Sequence, residues 1–181
     1  GAALQACIDD DGVDGVLARF EGQSCTVLAH VALDLPGALR SELLALNTPG
    51  GVVDLRTGRK RPHDRADRMT KITTATPLGV SATWRQFLTE VTGGDADLQA
   101  YLQRMAGYTL TGSTQEHALF FLYGTGANGK SVFVNTLATI LGDYAANAPM
   151  DTFMEPRTDR HPTDMAGLRG ARFVAAIETE Q

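Results

Sequence analysis

Cysteine, tryptophan and long hydrophobic runs are scarce in this chain of 181 residues, which holds two cysteines and one tryptophan. Cys7 and Cys25 cannot form a disulfide framework, and neither has a second Cys or a His at the spacing of a zinc site. No apolar run approaches the roughly 18 residues that a membrane-spanning helix needs. The N-terminus carries acidic residues where a signal peptide carries basic ones. These features predict a cytoplasmic protein with no membrane partner.

Positive charge is also scarce, except in one segment. The net charge is −5, but residues 56–71, RTGRKRPHDRADRMTK, hold seven basic and two acidic side chains. Two interpretations remain open for this segment. Its cations could contact DNA phosphates, or they could be neutralised by the acidic N-terminal residues Asp9, Asp10, Asp11 and Asp14 in a purely structural arrangement.

The first two thirds of the chain show mainly helical patterns. Residues 1–45 are predicted to be mostly helical, with a break at residues 34–37. The stretch LNTPGGVVDLRTGRKRPHD predicts a β-hairpin, with a strand at residues 52–55 and a second strand stopped by Pro62. Apolar residues at helical spacing then predict two packed helices, one containing Trp84 and Phe87 and one, capped by Asp95, containing Leu98 and Met105.

Beyond Gly112 the pattern changes to alternating strands and helices. The run HALFFLY predicts a strand buried on both faces, and an amphipathic helix follows it as far as Gly142. A short strand is predicted at residues 145–149, a short helix begins at Thr163, and RFVAAI predicts a further strand. This order predicts a parallel sheet with right-handed crossovers, that is, an α/β fold.

The loop between the first strand and its helix matches the pattern G-x-x-x-x-G-K-[ST]. Such a loop cradles phosphates with its backbone amides, so we expect ATP as the ligand. Lys130 would reach the β- and γ-phosphate oxygens, and Ser131 would hold Mg²⁺. The predicted cofactor-binding residues are Gly124, Thr125, Gly126, Ala127, Asn128, Gly129, Lys130, Ser131 and Val132.

Hydrolysis of ATP needs a carboxylate near the phosphate loop, to hold magnesium and to orient or deprotonate the attacking water. Glu178 directly follows the predicted strand RFVAAI, and Glu180 lies two residues later. We therefore predict Lys130, Glu178 and Glu180 as catalytic residues, with Ser131 and Glu178 at the metal.

Three separated blocks of this sequence resemble one family. They are LNTPGGVVDLRTGRKRPHD, TGGDADLQAYLQRMAGYTLTGSTQEHALFFLYGTGANGKSVF and HPTDMAGLRGARFVAAIETE. They are similar to the phage and plasmid primase-helicases related to poxvirus helicase-primases, whose motor belongs to helicase superfamily three. The resemblance covers about residues 46–181, extends loosely to the predicted helical segment before them, and includes the Ala-Asn-Gly-Lys-Ser form of the loop. His161, Pro162, Thr163, Asp164 and Arg169 also match a family block, but no role is assigned to them.

The resemblance implies a fold, an activity and partners. It implies an AAA+-like P-loop ATPase with a parallel sheet, acting as a DNA helicase of a phage, prophage or plasmid in a bacterial host cell. A hexameric homo-oligomer would use ATP and Mg²⁺ to move on single-stranded DNA. The implied divisions are residues 1–78 (helical with a β-hairpin), 79–115 (a helical collar) and 116–181 (the first part of the ATPase).

The chain departs from the family pattern at its end, because Gln181 follows the predicted acidic motif directly. The later polar sensor, the arginine for the neighbouring subunit's site and the DNA-gripping hairpin do not appear in this sequence. We therefore expect a piece of a larger protein, with an incomplete sheet, that binds nucleotide with little or no turnover. Two alternatives remain, a nucleotide-binding assembly or DNA-tethering module without turnover, and a P-loop kinase.

Overall fold

The computed structural model describes residues 4–5, 24–29, 43–113, 115, 118–124, 126–153 and 167–177. These residues form two β-sheets and three α-helices. Within them no helix has the length and apolar character needed to cross a lipid bilayer. The predicted block from His161 to Asp164, and the two predicted acids Glu178 and Glu180, lie outside the described residues.

The smaller sheet is antiparallel and contains three strands in the order β3-β4-β5. They are β3 (Ala45–Thr48), β4 (Gly51–Asp54) and β5 (Lys60–Arg61). The predicted hairpin is therefore present as β4 and β5. A third strand that the sequence pattern did not predict, β3, precedes this hairpin, and Pro49 and Gly50 make the tight connection between β3 and β4. Gly51 has a φ of 126°, and a Cβ there would lie 2.4 Å from the carbonyl oxygen of Arg61, so this position favours glycine.

Two helices follow the small sheet, as the apolar spacing predicted. They are α1 (Ala82–Val91) and α2 (Ala96–Leu110). The Ser81 hydroxyl accepts a hydrogen bond from the Trp84 amide at 3.2 Å, and Asp95 Oδ1 accepts one from the Leu98 amide at 3.0 Å. Each cap satisfies an amide that the helix itself leaves unpaired, so local chemistry determines where each helix begins.

The larger sheet has five strands in the order β1-β6-β2-β8-β7. The strands are β1 (Leu4–Gln5), β2 (Ser24–Ala29), β6 (Leu119–Gly124), β7 (Ala145–Ala148) and β8 (Phe173–Ile177). Helix α3 (Lys130–Leu141) connects β6 to the region of β7. β7 and β8 are parallel neighbours, and β6 runs in the same direction as β8 because both are antiparallel to β2.

Strand β2 corrects two predictions. Residues 24–29 form a strand, although the sequence pattern predicted helix for most of residues 1–45. This strand also lies between β6 and β8 and is antiparallel to both, so the sheet is mixed and not purely parallel. The physical reason is that the backbone N–H and C=O groups of the inner edges of β6 and β8 need partners, and an extended segment from elsewhere in the chain supplies them.

The small sheet, the helices and the large sheet share one apolar core. Leu46 of β3, Leu102 and Met105 of α2, Phe120 of β6 and Phe173 of β8 are all buried in the same cluster. Arg172 connects the same three units with polar contacts. Its guanidinium donates to the carbonyl oxygens of Leu110 at 2.6 Å and Ala45 at 2.8 Å, and it lies 4.6 Å from the centre of the Tyr144 ring.

The segment after β5 runs along the C-terminal end of α3. The Lys71 ammonium donates to the Asp143 carbonyl oxygen at 2.7 Å, and the Ile72 amide donates to Asp143 Oδ2 at 3.1 Å. The Thr74 amide donates to the Ile140 carbonyl oxygen at 3.0 Å. The Thr74 hydroxyl also donates to the Thr139 carbonyl oxygen. Carbonyl groups of a last helical turn lack partners within the helix, so this segment satisfies two of them and attaches the small sheet to α3.

Candidate nucleotide-binding loop

The predicted phosphate loop lies between a buried strand and a helix, as the sequence indicated. β6 ends at Gly124 and α3 begins at Lys130. Phe121 in the middle of β6 is only 1% exposed, whereas Gly126 and Ala127 in the loop are exposed. Gly124 and Gly129 have φ values of 143° and 86°, and Ala127 also has a positive φ, of 60°. Thr125 lies outside the described residues.

Lys130 is buried although it carries a positive charge, with 9% of its surface exposed. Its ammonium donates to the Gly124 carbonyl oxygen and to Asn128 Oδ1, both at 2.9 Å. Both acceptors belong to the loop itself, so the cation lies inside the curve of the loop. An ammonium held at this place lies where it would meet the phosphate groups of a ligand bound by the loop.

In the first turn of α3 the Lys130 amide donates to Asn128 Oδ1 at 3.4 Å, and the amides that follow it have no acceptor in a side chain of the N-cap residue. Its N-cap residue is Gly129, which has no side chain that could accept a hydrogen bond from these amides. Ser131 and Val132 in this turn are exposed, Val132 to 54%. The N-terminal end of a helix carries partial positive charge, and here it lies beside the Lys130 ammonium. The loop therefore brings the buried Lys130 ammonium close to backbone amide donors in an exposed turn.

Helix α1 packs directly against this loop. A Cβ at Gly129 would lie 2.4 Å from Val91 Cγ1 and 3.3 Å from Phe87 Cε2, so the loop and α1 are as close as a glycine permits. Trp84 stacks on Phe87 at 5.1 Å and on Phe133 of α3 at 5.7 Å. A small apolar cavity of about 30 Å³ remains behind the loop, lined by Val91, Leu98, Leu102, Gly129 and Phe133. Sequence reasoning assigned Trp84 and Phe87 to helix packing but did not detect that they support the loop, because their spacing shows only one apolar helix face.

The strand that leads to Glu178 ends at the same edge of the sheet as the phosphate-loop strand. Thr26 of β2 pairs with Ile177 of β8 on one side and with Leu122 of β6 on the other. Ile177 is therefore level with Leu122, and the two strands lie about 10 Å apart across β2. Glu178 and Glu180 themselves are outside the described residues, within which no group of three or more metal-binding side chains occurs.

Comparison with protein families finds a match for a little under half of the chain. Residues 8–93 match the family described as D5 N terminal like. We call residues 8–93, which are similar to that family, the D5-like region. The match confirms the predicted resemblance to the phage and plasmid primase-helicases. The D5-like region extends over the small sheet and α1, so it includes the basic segment and the helix that supports the loop.

A short stretch of the chain is also similar to a second kind of protein. It is 58% identical over 40 residues to the anhydro-N-acetylmuramic acid kinase of Variovorax paradoxus and 60% identical over 40 residues to that of Albidiferax ferrireducens. Each stretch is 22% of this chain, and the chain spans only about a tenth of either kinase, 11% and 10%. This likeness is too short to carry an activity to the chain. No solved structure matches the chain.

Proposed function

We propose that the chain binds the triphosphate of ATP with Mg²⁺, as part of a primase-helicase that hydrolyses ATP to move on single-stranded DNA. The observation that carries this proposal is the buried Lys130 ammonium inside a loop that leads directly into the N-terminus of α3. The D5-like region supports the primase-helicase class. We further propose that the complete protein is a homo-oligomeric ring, as the family resemblance implies.

In this proposal each part of the loop has a separate role. The amides from Gly126 to Ser131 bind phosphate oxygens, because they are short-range donors in an exposed turn. Lys130 neutralises the β- and γ-phosphates after exchanging its contact with Asn128 for phosphate oxygens. Ser131 is exposed in the first turn of α3, where its hydroxyl could serve as a ligand of Mg²⁺. Glu178, one residue beyond β8, would orient or deprotonate the attacking water.

A binding module without turnover remains the second candidate. It is favoured by the insertion of β2 between β6 and β8, because an added strand separates the loop from the strand that leads to Glu178. Binding and hydrolysis are therefore tested separately, the first in this chain and the second in the complete protein.

Replacing Lys130 by Ala tests the binding site. We expect the affinity for Mg²⁺-ATP, measured by titration calorimetry, to fall at least about 100-fold, because two charge-assisted contacts are lost at about 1.5–3 kcal/mol each. Arg104→Ala is the control, since Arg104 is an exposed cation on α2 outside the basic segment. Near-native affinity in the Lys130 variant would refute the loop assignment.

The same series distinguishes a motor from a binding module. Glu178→Gln in the complete protein should retain ATP but stop its hydrolysis, because an amide cannot act as a base and binds magnesium poorly. Turnover that survives in Glu178→Gln and is lost in Glu180→Gln would transfer the role to Glu180. A complete protein that binds Mg²⁺-ATP without any turnover, with or without single-stranded DNA, would support the binding module.

A further inference from the structure

The basic segment, residues 56–71, lies on one ordered part of the small sheet. It contains the β4–β5 turn, strand β5 and a short 3-10 turn at Arg65–Asp67. Its seven cations and two acids make it the one strongly positive stretch of the sequence. The nucleotide-binding loop uses none of these residues.

Three of the seven cations have partners among the described residues. Arg61 donates two hydrogen bonds of 2.7 Å to the two carboxylate oxygens of Asp67. Arg56 lies 3.7 Å from Asp54 Oδ1, and Lys71 donates to the Asp143 carbonyl oxygen. The hydrogen bonds from Arg61 hold the pKa of Asp67 below its usual value, so this carboxylate stays charged and committed to Arg61.

The other four cations are exposed, and their charged side-chain groups form no hydrogen bond or ion pair with any residue that the structure describes. They are Arg59, Lys60, Arg65 and Arg68. Four like charges within ten residues repel one another, and the two acids of the segment form no ion pair with any of the four. Asp67 is paired with Arg61, and Asp64 Oδ1 accepts a hydrogen bond from the Ala66 amide.

These four charges are held on a defined backbone. His63 Nε2 lies 2.9 Å from the Thr48 carbonyl oxygen, which ties the residues after β5 back to β3. The Arg61–Asp67 contact joins β5 to the 3-10 turn that follows, and Asp64 caps that turn. A cationic surface with a fixed backbone loses less conformational entropy on binding than a flexible tail does.

We infer that Arg59, Lys60, Arg65 and Arg68 form a binding surface for the sugar-phosphate backbone of DNA. The segment contains no Phe, Tyr or Trp on which a base could stack, and the ring of its one histidine, His63, is held at the Thr48 carbonyl oxygen. It therefore contacts phosphates and does not read bases, and its binding is independent of sequence. The surface lies in the D5-like region and is separate from the phosphate loop, so its test requires no nucleotide.

The test measures how DNA affinity depends on salt. Fluorescence anisotropy with a labelled single strand and with a duplex of the same length gives the slope of log K against log salt for the full chain. Each phosphate contact contributes about 0.7 to the slope for a single strand and about 0.9 for a duplex. The triple variant Arg59→Gln, Lys60→Gln, Arg65→Gln should therefore flatten the slope by about 2 with the single strand. A homopolymer and a mixed sequence should give the same result.

A control variant removes the same charge elsewhere. Arg85, Arg104 and Arg169 are exposed cations outside the basic segment. Their replacement by Gln gives the same change in net charge and should leave the slope unchanged. Equal losses in the two triple variants would mean that only net charge matters, and this would overturn the proposal.

Asp67→Asn changes binding in the opposite direction, so a folding defect cannot imitate its effect. The substitution removes the charge that occupies Arg61 and releases a fifth cation. The slope for a single strand should become steeper by about 0.7, and the affinity should rise. If Asp67→Asn leaves the slope unchanged, and the first triple variant keeps its slope but melts several degrees lower, the segment is structural and the inference is wrong. Lys130→Ala should retain the salt slope, which separates this outcome from failure of the nucleotide site.

Discussion

The Tyr101 side chain has two opposing effects on stability. Its ring stabilises the fold by packing, and its buried hydroxyl destabilises the fold because it has lost its hydrogen bonds to water. Its ring packs edge-on against Phe120, with 6.5 Å between the ring centres. Its hydroxyl is buried and has no hydrogen-bond partner among the described residues. Burial raises the pKa of this hydroxyl, because the charged phenolate would lose its hydration.

We predict that Tyr101→Phe leaves the free energy of unfolding unchanged or raises it by up to about 1 kcal/mol, because it removes an unsatisfied polar group and keeps the ring. Tyr101→Ala should lower the free energy of unfolding by about 3 kcal/mol, because the ring contacts disappear.

The raised pKa of Tyr101 also predicts that stability depends on pH. The stability that the neutral tyrosine contributes is fully present below its pKa in the unfolded chain, about 10, and it is lost as pH rises through its higher pKa in the folded protein. Urea denaturation at neutral pH and above pH 10 checks both effects, and the Phe variant should lack this tyrosine's contribution to the alkaline loss.

At the level of elements, α1 and the phosphate loop are packed together through a single glycine. Gly129 combines a positive φ with a Cβ position already occupied by Val91. Gly126, three residues earlier, has open space around its Cβ position and no positive φ. The two glycines of one loop therefore have different physical requirements.

We predict that Gly129→Ala destabilises the chain by about 2–4 kcal/mol, through backbone strain and overpacking. Gly126→Ala is the matched control and should stay within about 0.5 kcal/mol of wild type. In a Val91→Ala background the Gly129 substitution should cost less by about 1–2 kcal/mol, because the steric part is relieved. Thermal unfolding of the four variants gives this coupling, and additive effects would show that α1 does not support the loop.

At the level of the whole molecule, Arg172 joins parts of the chain that are far apart in sequence. It is only 8% exposed, and its guanidinium reaches carbonyl oxygens in α2 and in β3. The Leu110 carbonyl belongs to the last turn of α2, where helical carbonyls lack partners and a cation is favourable. The planar guanidinium suits this arrangement because it presents several donors in fixed directions.

We predict that Arg172→Lys lowers the free energy of unfolding by about 1.5–3 kcal/mol, because one ammonium cannot serve both carbonyls with the same geometry. Arg169→Lys, at an exposed position three residues earlier, should change it by less than about 0.5 kcal/mol. Chemical denaturation measures both variants. If Arg172→Lys is as stable as wild type, the fixed geometry of the guanidinium is not what joins the small sheet to α2.

The sequence by itself determined the features that depend on neighbouring residues. The strand, glycine loop and helix from Leu119 to Leu141, the caps at Ser81 and Asp95, and the apolar faces of α1 and α2 all follow from local propensity and periodicity. The concentration of positive charge in residues 56–71 can likewise be read directly from the sequence. The predicted roles of Glu178 and Glu180 stay predictions, since both residues lie outside the described part of the chain.

Only the tertiary structure decided which distant parts pair. The sequence patterns indicated helix where β2 forms, and they did not show that β2 separates β6 from β8. They also did not show that Val91 contacts Gly129, or that Arg172 reaches a carbonyl 127 residues away. The physical reason is that a short extended segment can pair with any available strand edge, and the selection depends on packing of the whole core, which local propensity does not encode.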